Sequence, residues 1–399
     1  MKNWTSRIIF FLTFFAIIFF IGKNIYYYHF DLSYPKIYLN GIEDEKYYSN
    51  ILNFFIDVED EYKVKNISVF LDEKPIVNKL SINNSSYSYP LSIPTNNIEN
   101  GSHYLKVIAV DSSKKSNTTT KVIKFYIDNN PLEVSFIDTE VEKKVFQGNT
   151  LHLTFQANKN NVFGCAKTLS YEVPCVLESD RSRVYECFIP ISTDEIPNEY
   201  IVRLNLEDAV GNKAVLEKTY QVVSQNFKKE KVNIVKKLDT ENAKSGEELN
   251  KILEELSKNS PKKKLWSGKF YAPCLVKSIT TQFGVVRTSM ERGRYKHDAI
   301  DFYATPKSPV WASQDGIIAV KDNFLYTGNT IVIDHGCGII TLYAHLDSFS
   351  NIEVGQNIKK GNIIGTVGMT GYSTGYHLHF ELRILNIPIN PIEWIKEDI

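Results

Sequence analysis

The stretch GYHLHFEL, residues 375–382, sets two of the chain's eight histidines two positions apart in an apolar run. Successive side chains of an extended strand point to opposite faces, so His377, His379 and Glu381 share one face while Leu378, Phe380 and Leu382 share the other. One face suits a core; the other sets two imidazoles beside a carboxylate. Five of the eight histidines lie between His297 and His379, and 13 of the 20 glycines lie between Gly268 and Gly375. Glycine at that density among short Val, Ile and Tyr runs predicts tight turns joining many short strands, hence an all-β domain over residues 264–399.

At the other end of the chain, residues 8–22 are apolar apart from Thr13, with Lys2 and Arg7 before them and Lys23 after. Extended by Ile25 and Tyr26 to Tyr28, they predict a transmembrane helix within residues 1–30. No small-x-small cleavage site follows, which favours an uncleaved signal anchor over a removed signal peptide. A single pass through the inner membrane is therefore expected, with the remainder in the periplasm or extracytoplasmic space. Lys plus Arg and Asp plus Glu both number 46, so the zero net charge offers no footprint for nucleic acid. Cys165, Cys175, Cys187, Cys274 and Cys337 fit an exported chain, and the first three predict one disulfide of open connectivity.

Between these ends, residues 35–128 and 131–224 read as two copies of one module. HYLKVIAVD, ending at Asp111, matches YIVRLNLED, ending at Asp208; each alternates apolar and polar residues and is followed by another strand, KVIKFYI or EKTYQVV. Both modules resemble the immunoglobulin-like β-sandwich repeats of bacterial surface proteins, which implies spacers or docking surfaces for envelope proteins. His103 and His152 sit singly in these strands and read as ordinary partly buried residues. Residues 226–263 are dense in Lys and Glu and read as a charged linker. Within it SGEELNKILEEL shows a capping box, Ser245 with Glu248, ahead of Leu249, Ile252, Leu253 and Leu256 at helical spacing.

Four segments gather the polar groups of the C-terminal domain: YKHDAIDFYATPKSPVWA (295–312), IVIDHGCGIITLYAHL (331–346), KKGNIIGTVGMTGYSTG (359–375) and YHLHFEL (376–382). In this order they resemble the lysostaphin-like (M23) zinc metallopeptidases, with H-x-x-x-D, then IDHG…YAHL, then G-x-TG-x-STG-x-HLHFE, over roughly residues 266–395. The resemblance implies an antiparallel β-sheet peptidase domain in which His297, Asp301 and His379 bind one Zn2+ while His345 and His377 act on substrate and water. Two imidazoles and one carboxylate are also a familiar catalytic zinc set that leaves a fourth position open. The resemblance further implies cleavage of peptide bonds in peptidoglycan stem peptides or cross-links, in cell-wall remodelling or division. The alternating pattern of TLYAHL puts Thr341, Tyr343 and His345 on one face, delivering a second imidazole from a neighbouring strand. One of His345 and His377 would accept the water proton and the other stabilise the oxyanion, in either order.

Around these residues, His335 reads as structural, Glu381 as either an orienting group or a satisfied strand carboxylate, and Tyr295 as a remote oxyanion donor. H-E-x-x-H is absent from the chain, which excludes the helical zincin arrangement. Ala299 and Tyr376 stand where the family carries glycine and proline, and Cys274 and Cys337 are additions that would pair with each other. A different functional class is a non-catalytic member that activates a cell-wall amidase; retention of all five polar groups argues against it. A surface adhesin built on the two modules is a third.

Overall fold

The computed structural model describes residues 2–137, 143–179, 182–231, 240–289 and 293–396. The chain divides into two compact units, Met1–Pro131 with Ala209–Asn212, and Leu132–Asp208 with Lys213–Ile399. It is mostly β-structure, with helices α1 (Lys2–Phe30), α2 (Thr240–Asn259) and α3 (Pro391–Lys396).

In the first unit, the Arg7–Phe30 part of α1 is 24 residues long and, among the described residues, meets the rest of the protein only near its end, where Tyr27 stacks on Tyr62 and Lys114 N–H donates to the Tyr28 carbonyl. At 1.5 Å per residue it extends about 36 Å, long enough and apolar enough to cross a bilayer. The module that follows differs from a two-sheet sandwich. It is one six-stranded sheet, because two 21-residue strands, Ile51–Leu71 and Lys74–Pro94, run through its whole length. The first half of Ile51–Leu71 pairs with Lys36–Asn40 and the second half with Gly101–Asp111. Register shifts between Glu59 and Val64 interrupt its pairing with Lys74–Pro94. Such irregularities bend a strand, and the core here gathers residues from both halves of it, Ile56, Val58, Ile67 and Val69, together with Val107 and Phe125.

In the second unit, residues 132–223 form two sheets, one of five strands and one of four, that enclose Leu153, Phe155, Leu204 and Tyr220 among others. The matched segments of the two modules, Gly101–Asp111 and Glu199–Asp208, each form a hairpin with the next strand. In each module that next strand also carries a short parallel strand, Tyr47–Tyr48 in the first and Lys143–Phe146 in the second.

The C-terminal region is built on an eight-stranded sheet. Its order is Ser278–Thr281, Ile300–Tyr303, Leu378–Ile384, Ile339–Leu346, Gly328–Asp334, Gly316–Phe324 and Asn357–Ile358, with Ile387–Ile389 also paired to Leu378–Ile384. One face packs Phe302, Ile331, Ile333, Tyr343, Leu378 and Phe380 into the main core. On the other face Leu249 and Leu253 of α2 cover Val320, Phe324, Val332, Ile340, Leu342 and Ala344. The helix starts at Thr240, so Ser245 and Glu248 lie inside it rather than at its cap. Its apolar stripe is buried on the sheet, and this packing, more than cap chemistry, accounts for its formation. The charged segment 226–263 is therefore not a solvated linker throughout: Lys229–Lys231 also pairs, in parallel, with Val286–Ser289. Residues 232–239 of that segment lie outside the described residues.

The second module is joined to this sheet through an aromatic cluster. Phe188 lies 5.6 Å from Trp266 and 5.4 Å from Trp394, ring centre to centre, and Phe270 and Cys337 complete the contact. Beside it the buried ammonium of Lys264 lies 2.6 Å from Glu186, and His152 Nε2 lies 3.0 Å from the same carboxylate. Burial disfavours the Glu186 charge, but the hydrogen bonds from His152 and Lys264 outweigh it and lower its pKa.

The cysteines divide differently from the expectation. Cys274 lies in the main core and Cys337 in the aromatic cluster, and neither is in a disulfide. Cys175 and Cys187 lie with their sulfurs 2.7 Å apart, while Cys165 faces Glu172.

Leu253→Ala removes a 1 % exposed side chain from under the sheet and is expected to cost about 2–5 kcal/mol in denaturant unfolding; a solvated helix would lose almost nothing. A lowered carboxyl pKa contributes stability that is present above the unfolded value, about 4.3, and is lost as pH falls through the folded one. The stability gap between wild type and Lys264→Met should accordingly be present at neutral pH and shrink on acidification below that range.

Candidate metal centre

Strand pairing brings the candidate ligands together. Asp301 lies opposite His379 where Ile300–Tyr303 pairs with Leu378–Ile384, and His297 precedes that strand by one turn of loop. His297 Nε2 lies 3.1 Å and His379 Nδ1 3.0 Å from the same oxygen, Asp301 Oδ1. One ligand atom from each of the three residues falls within 4.8 Å of the others. His297 and Asp301 are buried, and His379 is half-buried.

The outer nitrogens are held as well. His297 Nδ1 lies 3.4 Å from the carbonyl oxygen of Gln282, and His379 Nε2 lies 3.0 Å from Glu381 Oε1. Glu381 in turn accepts from Arg383 Nε at 2.6 Å, and Arg383 Nη1 reaches Asn250 on α2 at 3.4 Å. Glu381 thus joins His379 to Arg383 and is satisfied by both. Arg383 falls on the same face as His379 and Glu381 by simple alternation, a signal that would have identified it. Asn250 carries no local sequence signal, since its contact depends on how α2 crosses the sheet.

The electrostatics follow from crowding charge into a buried space. Burial opposes the charge on Asp301, but hydrogen bonds from His297 and His379 hold its carboxyl well below the usual range. Burial likewise opposes charge on His379, yet its bonds to Asp301 and Glu381 raise the imidazole to about 10. Burial works against the Glu381 charge too, and Arg383 leads the groups that bring its carboxyl down to about 2. Two imidazoles, each with its outer nitrogen engaged, and a carboxylate fit a tetrahedral dication with an open position.

His345 and His377 border the same pocket. The His345 ring centre lies 5.0 Å from His377 and 5.6 Å from His379. His377 Nε2 comes within 3.7 Å of Asp301 Oδ1. His345 reaches this place by a route that alternation does not predict. Thr341 and Tyr343 point to the opposite face, where Tyr343 packs 5.2 Å from Phe380 and Thr341 meets His335. Strict alternation would send His345 after them. Instead the strand carries one extra residue opposite Asn329–Ile331, and His345 takes a left-handed conformation, φ 59°. The bulge turns its ring to the pocket.

The loop carrying residues 368–375 fixes that ring. His345 Nδ1 lies 2.8 Å from the Thr370 carbonyl, and the Thr370 hydroxyl donates to Leu346 O at 2.8 Å. The loop lies against Gly328 so closely that a Cβ on Gly371 would meet Gly328 N at 2.3 Å; its φ of 73° also requires glycine. His377 Nδ1 is similarly placed 2.9 Å from the Gly375 carbonyl. Burial lowers the affinity of both rings for a proton, His345 to about 3 with help from the neighbouring imidazoles.

His335 is fully buried between the Asp315 carbonyl and the Thr341 hydroxyl, outside this pocket, which is a structural role. Tyr295 lies on the strand before His297, its backbone opposite Arg287. Ala299 is buried, and Tyr376 is exposed beside the pocket histidines in sequence.

Arg383→Met removes the partner of Glu381 while leaving every candidate ligand in place. The expected outcome is metal retention weakened about 10–100-fold in competition with a chelator, with the fold intact by circular dichroism.

The family model described as peptidase family M23 matches residues 295–391. The DD-carboxypeptidase/endopeptidase Mpg of Neisseria meningitidis is 42 % identical over 120 residues, 30 % of this chain and 27 % of that protein. The peptidoglycan DD-endopeptidase ShyA of Vibrio cholerae is 38 % identical over 97 residues, 24 % of this chain and 22 % of that one. Among solved structures, the catalytic domain of lysostaphin from Staphylococcus simulans aligns over 30 % of this chain and 92 % of its own, at 30 % identity and a TM-score of 0.28. The chain spans about a quarter of the length of the curated relatives it matches. With the H-x-x-x-D and H-x-H groups assembled on adjacent strands of one sheet, residues 295–391 constitute a domain of peptidase family M23.

Proposed function

We propose that the chain is a membrane-anchored extracytoplasmic zinc endopeptidase that hydrolyses peptide bonds in peptidoglycan stem peptides or cross-links. The observation that carries this reading is the convergence of His297, Asp301 and His379 on one buried point, bordered by two further imidazoles. A zinc ion held there supplies Lewis acidity toward the scissile carbonyl and toward water. The relatives named above support a peptidoglycan substrate, and the exposed apolar helix α1 supports an anchor in the membrane that borders it.

His345 and His377 divide the proton chemistry. Each has Nδ1 directed at a backbone carbonyl, Thr370 or Gly375, which fixes Nδ1 as the N–H donor. Nε2 of each is then the unprotonated atom. One ring takes the proton from the attacking water at Nε2. The protonated ring can then donate that proton to the departing amine, while the second ring, whose Nε2 carries no proton, accepts a hydrogen bond from the water rather than donating one to the oxyanion. Neutral rings are the form needed to accept a proton, and burial keeps both in that form at neutral pH.

The decisive experiment uses the full chain in detergent. Its metal content is measured, and fragments released from isolated peptidoglycan are identified by mass. Stoichiometric zinc with cleavage at a peptide bond is expected, and His379→Ala should lose both. His345→Ala and His377→Ala should retain zinc and lose about 10²–10⁴-fold in cleavage rate. Zinc-loaded wild type that releases no fragment would favour the amidase-activating class instead.

A further inference from the structure

The two modules end their matched strands on matched aspartates, Asp111 and Asp208, and differ in what faces them. Asp208 is buried, and its Oδ2 lies 2.8 Å from the ammonium of Lys159. Asp111 is fully buried and faces two more carboxylates, Asp31 and Asp60, with one oxygen of each residue within 4.8 Å of the others. Among the described residues none of these three is paired with a Lys, Arg or His.

The hydrogen bonds around the cluster leave oxygens over. Asp31 Oδ1 accepts from the backbone N–H and hydroxyl of Ser33, at 2.9 and 2.6 Å. Asp60 Oδ1 accepts from Tyr62 N–H at 2.9 Å. Asp111 accepts from Ser113 through Oδ1 and from Asn117 Nδ2, 2.8 Å away, through Oδ2. Asp31 Oδ2 and Asp60 Oδ2 are buried with no donor at all, although the two residues are only 4 % and 9 % exposed. Burial, followed by the charges of Asp31 and Asp111, raises the Asp60 pKa. Unpaired buried carboxylates this close repel one another strongly unless a cation joins them.

We propose that Asp31, Asp60 and Asp111 bind a calcium ion. All the free donors are hard oxygens, which suits calcium and disfavours zinc. Ca–O bonds of 2.3–2.6 Å accommodate oxygens as much as about 4.8 Å apart, whereas the 2.0–2.1 Å bonds of magnesium require a tighter octahedron. Asp31 follows α1 directly, and Asn117 also donates to the carbonyl of Ser33 at 2.8 Å. The ion therefore fastens the segment leaving α1 to strands Ile51–Leu71 and Gly101–Asp111. In the second module Lys159 supplies the corresponding positive charge from within the chain.

The test is equilibrium dialysis of the full chain in detergent against calcium, with zinc held constant, beside thermal unfolding in calcium, magnesium or EGTA. Wild type should take up about one calcium per chain, with Kd at or below about 10⁻³ M, and its Tm should rise by about 5 °C in saturating calcium. Asp60→Asn should bind at least about 10-fold more weakly and show no calcium-dependent rise. It should also melt above wild type in EGTA, because it removes one of three repelling charges; this ordering separates loss of the site from misfolding. His379→Ala should bind calcium as wild type does, so failure of the peptidase reading leaves this result untouched. Absence of saturable uptake, uptake unchanged in Asp60→Asn, or an equal response to magnesium would each overturn the proposal.

Discussion

The arrangement of the C-terminal region depends on one oxygen, Asp301 Oδ1, which two imidazoles approach to about hydrogen-bond distance inside the protein. A lone buried carboxylate there would be costly, and the hydrogen bonds from the two rings offset that cost. The same economy extends outward through Glu381 and Arg383 to Asn250 on α2. Position passes along this chain as well as charge: the orientation of His379 is tied to a helix that contributes nothing directly to the pocket.

The strand that carries H-x-H was legible because period-2 alternation is a local property. His377, His379 and Glu381 emerge on one face and Leu378 and Phe380 enter the core, as the residue order requires. The same rule misplaces His345. Its strand gains a residue at a bulge, and the signal for that bulge lies in the hydrogen bonding of Asn329–Ile331 across the sheet, not in TLYAHL itself. The pocket thus combines one side chain placed by pattern with one placed by an exception to it.

Similar reasoning explains the other differences. The Ser245–Glu248 box is chemically a good start for a helix, but α2 begins earlier, at Thr240; burial of Leu249 and Leu253 is a tertiary effect invisible to a cap rule. The first module has the strand spacing of a sandwich, yet its two longest strands cross from one half of the core to the other. Sequence spacing counts strands without saying whether one strand serves two layers. Cysteine pairing was the least legible feature. Cys274 and Cys337 belong to two different clusters, while Cys175 and Cys187 meet through packing of the second module.

The aromatic cluster around Phe188, Trp266 and Trp394 bears on what counts as a part of this protein. The segment that the family model matches, residues 295–391, leaves out Trp266, Phe270, Cys274, Leu249 and Leu253, all buried against it. Cut at those limits, the fragment would expose the underside of its own sheet and one wall of its aromatic seam. The matched segment is thus smaller than the unit of folding: a neighbouring module and a helix share its core, so replacing either would require refitting the buried surface between them.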